Sequence, residues 1–583
     1  MSSRGETEPW WRTAVVYQVY PRSFADGDGD GVGDLRGILQ HLDHLEALGV
    51  DVLWLSPVYP SPQEDNGYDI SDYQDVDPLF GSLADLDELV AALHARSMRL
   101  VLDLVVNHTS SAHPWFSASR SSKDDPQRGW YWWRPPRPGV EPGTPGAEPT
   151  NWRSFFSGPA WAYDEATGEY YLHLFAAGQP DLNWENPEVR RAVHAMMRWW
   201  LDRGVDGFRM DVINFISKDP ALPDGRALAS MGGAADGLAD GSAAYVCGPR
   251  IHEFLAEMHR EVFADRPGTF LTVGEMPGVT IEEARLFTDP ARHEVDMVFQ
   301  FEHMGVDHGA TKWEHRPLHL PALKAIMARW QAGLADAGWN SLYWCNHDQP
   351  RVVSRFGDDG TYRVASAKAL ATVLHLHRGT PYVYQGEELG MTNAPFASPQ
   401  DLRDVESLNH FRAQVAAGRD PDDVMAEIRP VSRDNARTPM PWDAGHNAGF
   451  GPPGVTPWID LDPAYATVNA AAQRDDPASV LAHYRRLLEL RHTVPAVAIG
   501  DFTMLLPDDE AVYAFARELD GVRLLVLAHL GDGDVTVEVP GGPEWAGAEL
   551  VLGSGGDGEP ATVTTDGSWH PGPWDAVVLR LAR

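Results

Sequence analysis

Eight short apolar runs, separated by stretches of helical periodicity, constrain this chain more than any other feature. They are VVYQVYP (15–21), VDVLWLSPVY (50–59), RLVLDLVVNH (99–108), GFRMDVIN (207–214), TFLTVGEM (269–276), DMVFQFEH (296–303), NSLYWCNHD (340–348) and TPYVYQGEE (380–388). Near-continuous apolar runs of this length suit parallel strands buried on both faces. Helical patterns fill the intervals. LRGILQHLDHLEALG (35–49) puts Leu35, Ile38, Leu39, Leu42, Leu45 and Leu48 on one face, and LADLDELVAALHARSM (83–98) reads similarly. Eight strands alternating with helices predict an α/β fold, a (β/α)8 TIM barrel; a doubly wound sheet gives similar local patterns.

The spacing is regular except between the third and fourth runs, where about a hundred residues intervene, too many for one helix and two loops. Residues 109–179 are rich in Trp, Pro and Gly, as in WYWWRPPRPGVEPGTPGAEPTNW (130–152). They are read as a small inserted domain whose core takes up Trp130, Tyr131, Trp132 and Trp133. A second insertion, about 390–460, follows the eighth run. From 497 the texture changes to short alternating runs with turn signals, which predicts a C-terminal β-sandwich domain over 497–583. The barrel then occupies 1–108 and 180–496.

Composition narrows the function classes. The formal net charge is −37, which disfavours phosphate backbones and anionic membranes as partners. Two cysteines, Cys247 and Cys345, cannot build a disulfide framework. The stretch MSSRGETEPWWRTAVVYQVY has no secretory-signal pattern, and no run of 18 apolar residues occurs. The expectation is a cytoplasmic protein, a monomer or small homo-oligomer, with neither nucleic acid nor membrane as partner.

A barrel carries its reactive groups at the carboxyl ends of its strands. Asp211, Glu275 and Asp348 each end an apolar run, with Arg209 two residues before the first and His347 beside the third. Asp103, Asn107 and His108 end the third run. Three such carboxylates suit chemistry that passes through a positively charged sugar. A separate loop, DGDGDGVGDL (26–35), spaces Asp26, Asp28, Asp30 and Asp34 at positions 1, 3, 5 and 9, with Gly31 at 6 and the Val32 carbonyl at 7. This is the oxygen-rich start of an EF-hand-type loop, although position 12 is Gly37 rather than Glu. It predicts structural Ca²⁺, with Mg²⁺ as the alternative.

The segments DLVVNH (103–108), GFRMDVINF (207–215), GEMPG (274–278) and NHDQPR (346–351) resemble the four signature regions of glycoside hydrolase family 13, the α-amylase superfamily. QPDLN (179–183) resembles its fifth. With NGYDISDY (66–73), QFEHM (300–304), QGEELGMTN (385–393) and RDNARTPMPW (433–442), they most resemble oligo-1,6-glucosidases and close α-glucosidase relatives. The resemblance implies Asp211 as nucleophile, Glu275 as acid/base and Asp348 as a transition-state-stabilising carboxylate, acting with retention on a small oligosaccharide. It implies that His108 and His347 contact sugar hydroxyls and that Tyr68 is an aromatic platform. It also implies that Asp69 pairs with Arg437 to close the pocket, which would make the action exo.

Arg209 is expected to keep Asp211 ionised, while burial raises Glu275 into its acid role. In the family, Val at the position of Val212 accompanies α-1,6 activity and Thr or Ala α-1,4 preference. Other outcomes are a broad or α-1,4-preferring α-glucosidase, or a glucosyl-transferring sucrose isomerase or trehalose-forming relative. Against the transferases, VVSRFGDDG (352–360) looks more like the hydrolases than their Arg- and Asp-rich loop. Pro441 stands where relatives usually have Gln, and Cys345 replaces a common Asn.

Overall fold

The computed structural model describes residues 9–226, 237–555 and 560–582. Residues 1–8, 227–236, 556–559 and 583, assigned from sequence to the barrel and the C-terminal domain, lie outside the described residues. Eight parallel strands form the central sheet: β1 (Val16–Val19), β2 (Val52–Leu55), β3 (Arg99–Leu104), β7 (Gly207–Met210), β8 (Leu271–Glu275), β9 (Met297–Phe299), β10 (Ser341–Leu342) and β11 (Thr380–Tyr384). Neighbours pair in chain order, β11 returns to β1, and a parallel bridge between Val298 and Asn340 joins β9 to the start of β10, closing the barrel. Every predicted strand is present.

The strands are buried almost throughout, as their apolar runs require. Gly207 opens β7 where a Cβ would lie 2.0 Å from the Leu271 carbonyl oxygen, so the first turn of pairing with β8 admits no side chain. The helix predicted over 35–49 is interrupted. Leu35–Gln40 and Leu42–Leu48 meet at His41, whose ring stacks on Trp442 with centroids 3.7 Å apart. The second predicted helix forms as Leu83–Ala95, started by a reciprocal Ser82–Asp85 capping box.

Between β3 and β7 the chain makes a three-stranded antiparallel sheet from β4 (Trp133–Arg134), β5 (Trp161–Asp164) and β6 (Glu169–Leu172), in the order β4-β6-β5. Trp132, Trp152 and Trp161 form a buried cluster that also takes in Val212 and Phe215 from the barrel. Tyr131 and Trp133 pack instead with the main core. The inserted segment is thereby packed against the residues that follow Asp211. After β11, the helices Val405–Ala416 and Pro421–Ile428 fold over the same end of the barrel.

The C-terminal part is all β. Strands β12 (Asp501–Leu505), β13 (Val512–Leu519), β14 (Val522–His529), β16 (Glu549–Gly553) and β18 (Ala576–Ala582) form an antiparallel sheet, and β15 (Val537–Glu538) pairs with β17 (Ser568–Trp569). Buried Arg517 ties this part to the barrel. Its guanidinium donates to the carbonyls of Leu376, Val497, Gly500 and Asp501. An Arg517→Met variant would strand several buried carbonyls at a cost on the order of 3 kcal/mol or more. A clear drop in the thermal unfolding midpoint by circular dichroism is expected, and an unchanged midpoint would contradict this anchoring role.

Candidate active site

Strand register decides which side chains meet inside the barrel. Asp103 on β3 lies directly beside Arg209 on β7, and Arg209 beside Val273 on β8. Side chains alternate along a strand, so Arg209 and Asp211 share one face with Val273 and Glu275. Arg209 Nη1 donates to Asp103 Oδ1 at 2.9 Å and to Asp211 Oδ1 at 2.7 Å, and its Nη2 lies 2.6 Å from Glu275 Oε1. One buried guanidinium thus holds both carboxylates predicted to do chemistry, with a third behind them.

Asp103 Oδ2 in turn accepts from Trp54 Nε1 (3.1 Å) and the Tyr68 hydroxyl (2.9 Å). The Tyr68 ring lies flat on His347, centroids 5.0 Å apart and planes within 6°. Gln18 Nε2 is 2.8 Å from His347 Nδ1, and with Gln18 donating there, Nε2 carries the ring hydrogen and faces Asp348 at 3.5 Å. His108 is more committed. Its Nε2 lies 3.1 Å from the Tyr68 carbonyl and its Nδ1 3.2 Å from the Asn107 amide. Burial pushes both rings down, His108 to about 4 and His347 to about 3, so both are neutral at physiological pH.

Tyr68, His108, Asp211, Glu275 and Asp348 line one cavity of about 330 Å³, together with Asp65, Phe155, Phe156, Phe175, Val212, Phe215, Pro277, Phe301, Lys312, Gln349, Glu406 and Arg433. Val212 adopts a left-handed backbone (φ 35°, ψ 41°), unfavourable for a β-branched residue. That turn aims its N–H at Glu275 Oε2, 3.1 Å away.

The closed end differs from the expected pairing. Asp69 does not reach Arg437. Its carboxylate is buried and accepts from the Ser61 hydroxyl and the backbone N–H groups of Glu64 and Asp65, bracing its own loop. Asp65, four residues earlier, lines the cavity and pairs with Arg433 at 3.2 Å. Arg433 also reaches Asp348 (3.3 Å) and Asp404 (2.6 Å), and Arg437 pairs with Asp348 at 2.8 Å. Asp65, Arg433, Asp404, Glu406 and Lys312 were not singled out from sequence. For two of them a signal was available, Asp65 directly before NGYD and Arg433 at the head of RDNARTPMPW; Lys312, Asp404 and Glu406 lie in none of the family-like segments.

Charge is distributed unequally. Burial alone would raise Asp348, but its neighbours hold its carboxyl well below the usual range; with His347 neutral, Arg433 and Arg437 do this at physiological pH. Asp211 departs from expectation. Burial and the charge of Glu275 raise it well above an ordinary carboxylate, and Arg209, shared among three carboxylates, does not offset them.

At the metal-like loop, carboxylate oxygens of Asp26, Asp28 and Asp34 lie within 4.8 Å of one another. Asp30 is exposed, outside that group, and accepts from the Val32 N–H. Asp34 caps the helix Leu35–Gln40 and Asp26 accepts from Gly29 and Gly31, so the loop is folded by its own carboxylates. Among the described residues no helix is long and apolar enough to cross a membrane.

The alpha amylase catalytic domain matches residues 18–500. The oligo-1,6-glucosidase of Parageobacillus thermoglucosidasius is 52% identical over 574 residues, covering 98% of this chain and 99% of that one. The trehalose-6-phosphate hydrolase structure from Bacillus licheniformis superposes with a TM-score of 0.90 at 43% identity, covering 99% and 100% of the two chains. The trehalulose synthase of Pseudomonas mesoacidophila MX-45 superposes with a TM-score of 0.90 at 41% identity, covering 99% and 100%. With a barrel, an inserted sheet after its third strand and carboxylates gathered at its strand ends, the chain belongs to the α-amylase family of glycoside hydrolases.

Proposed function

We propose that the protein is a retaining, exo-acting α-glucosidase that removes terminal α-1,6-linked glucosyl units from short oligosaccharides. The observation that carries this reading is Asp211 and Glu275 on the two ends of one guanidinium, inside a cavity closed by Asp65, Asp348, Arg433 and Arg437. Carboxyl groups held this near each other suit attack by one and proton transfer by the other, the retaining arrangement. Asp211 attacks the anomeric carbon, and Glu275 protonates the departing oxygen and later takes a proton from water. Asp348, kept anionic, faces the developing positive charge, while Tyr68 and His347 offer the glucosyl ring a flat surface and an N–H.

Attack by Asp211 needs its carboxylate ionised, and burial with the charge of Glu275 raises its titration. Activity then falls as pH drops through the raised Asp211 titration. Removing the Glu275 charge lowers that titration. With 4-nitrophenyl α-glucoside, whose leaving group needs no acid, Glu275→Gln should move the acid limb of the 4-nitrophenol burst to lower pH. A limb that stays or moves upward would refute the assigned coupling.

The relatives differ in leaving group, and two observations favour neutral sugars and hydrolysis. Lys312 is ion-paired to Glu406 and Arg433 to four carboxylates, so these cavity cations are already committed and do not favour a phosphorylated leaving group. Arg355, in the 352–360 segment, is buried and ion-paired to Asp307, and its Nη1 donates to the Gln349 side chain, so it too is committed. Isomaltose should exceed maltose, sucrose and trehalose-6-phosphate in kcat/KM by about tenfold, and Asp211→Asn should lose at least roughly a thousandfold. Preference for any of the other three substrates would refute the linkage assignment.

We also infer a structural Ca²⁺, or Mg²⁺, at the loop carrying Asp26, Asp28, Val32 and Asp34. The clustered carboxylates of Asp26, Asp28 and Asp34, with the Val32 carbonyl at position 7 of the loop sequence, form a hard-oxygen donor set. A metal at a hundred times its dissociation constant stabilises by about 2.7 kcal/mol. Saturating Ca²⁺ should therefore raise the thermal midpoint of chelator-treated protein by several degrees, and Asp26→Asn should abolish the rise. No Ca²⁺-dependent shift in the parent protein would exclude the site.

A further inference from the structure

The barrel carries a second cavity at the end opposite the catalytic one. Strands β8 and β9 run between the two. Glu275 closes β8 at the catalytic end, while Thr272, near its start, and Asp296, directly before β9, line the other cavity. Its volume is about 450 Å³, against about 330 Å³ for the catalytic one. A row of rings lines it: centroids step from Phe270 to Phe263 (5.7 Å), to His259 (6.0 Å) and to His293 (5.0 Å), and Trp11 lines it as well. Phe263 and Trp11 are buried, whereas Phe270 is only half-buried and leaves ring surface open.

Asp296 brings a half-satisfied carboxylate into this lining. Its Oδ2 accepts from both the N–H and the hydroxyl of Thr272, each at 2.8 Å, and among the described residues no donor reaches Oδ1. Burial pushes the carboxyl up to about 6, so at neutral pH it is an anion that has lost hydration without gaining a full set of donors. Asp289 and Glu294 line the same cavity and add negative charge, although Glu294 is also paired with Arg292 and His252. Arg12 lines it too, but its guanidinium carbon sits over the rings of Trp11 (5.4 Å) and Trp339 (4.8 Å). A ligand that satisfies this set donates from a cationic nitrogen to Asp296 and lays a ring system along Phe270, Phe263 and Trp11.

We propose that this second cavity is a binding site for arylalkylammonium ions, amines that carry a one- or two-ring aromatic group on a short alkyl arm. The ammonium group bonds to Asp296 Oδ1, while Thr272 holds the other oxygen and with it the orientation of the carboxylate. The aromatic group fills the space beside Phe270. A cavity of this size, apolar in its walls and with a few convergent polar groups, is of the kind that encloses a small organic molecule. An aryl carboxylate meets the charges of Asp289, Glu294 and Asp296, and a neutral aryl alcohol gains the ring contacts without the charge-assisted bond. The site is separate from the catalytic carboxylates and does not depend on the substrate they act on.

The test is isothermal titration calorimetry of the full chain at neutral pH with three probes of one shape: tryptamine, its neutral counterpart tryptophol, and the anion indole-3-propionate. Tryptamine should bind tighter than either of the others by about tenfold or more. Asp296→Asn keeps an oxygen for Thr272 and removes the charge, so it should weaken tryptamine by about tenfold and leave tryptophol within about twofold. Phe270→Ser should weaken tryptamine and tryptophol alike. Circular dichroism of each variant reports a folded chain, and the ranking of the three probes on the parent protein tests the site without any substitution. Asp348→Asn, in the other acidic cavity, should leave tryptamine binding unchanged. The site is overturned by equal affinity for the three probes, by preference for the anion, or by no heat with tryptamine. Tryptamine binding that survives Asp296→Asn in a folded variant, or that is lost in Asp348→Asn, overturns it as well.

Discussion

Arg209 is the constraint around which the rest of the site is arranged. It is buried, and three carboxylates, Asp103, Asp211 and Glu275, are gathered on its guanidinium. Burying even one unpaired carboxylate is prohibitive, and a buried ion pair is tolerable only when its other hydrogen-bonding positions are filled. They are filled through Asp103, which accepts from Trp54 and Tyr68, and Tyr68 carries the stack on His347. Electrostatic necessity in the barrel interior thereby positions the aromatic surface on which a sugar ring would rest.

A second charge cluster closes the other side, built from distant parts of the chain. Arg433 and Arg437 come from the segment after the helix Pro421–Ile428, Asp65 from the loop after β2, and Asp348 from the end of the β10 segment. Asp404, which ties Arg433, is also the N-cap of the helix Val405–Ala416, and that helix presents Glu406 in its first turn. Its Asn409 reaches across to the Phe156 carbonyl of the inserted segment. The two insertions therefore meet over the cavity, and the enclosure depends on both.

Much was legible in the chain. The eight apolar runs became the eight strands because a strand buried on both faces has no polar positions to spare. Asp211 and Glu275 could be placed at strand ends for the same reason, since a carboxylate closing an apolar run has nowhere else to go. Other readings needed neighbours that no local pattern records. The helix over 35–49 breaks at His41 because Trp442, some four hundred residues on, stacks there. Asp69 looked like the gripping carboxylate, but its oxygens are spent on its own loop and Asp65 faces the cavity instead. Nothing local separates two aspartates four residues apart in one loop. The left-handed turn at Val212 is equally silent in sequence, since β-branched residues rarely adopt it.

By itself, then, the sequence determined the alternating architecture, the eight-strand count and the strand-end position of the reactive carboxylates. Each follows from periodicity and from the cost of burying polar groups, which act over a few residues. Tertiary structure alone decided which carboxylate faces which arginine, which aspartate lines the cavity, and that Asp211 is driven upward in pKa. Those outcomes depend on charges from distant segments sharing one buried volume. Their energies are set by distance and desolvation in three dimensions, and neither quantity is written in the order of residues.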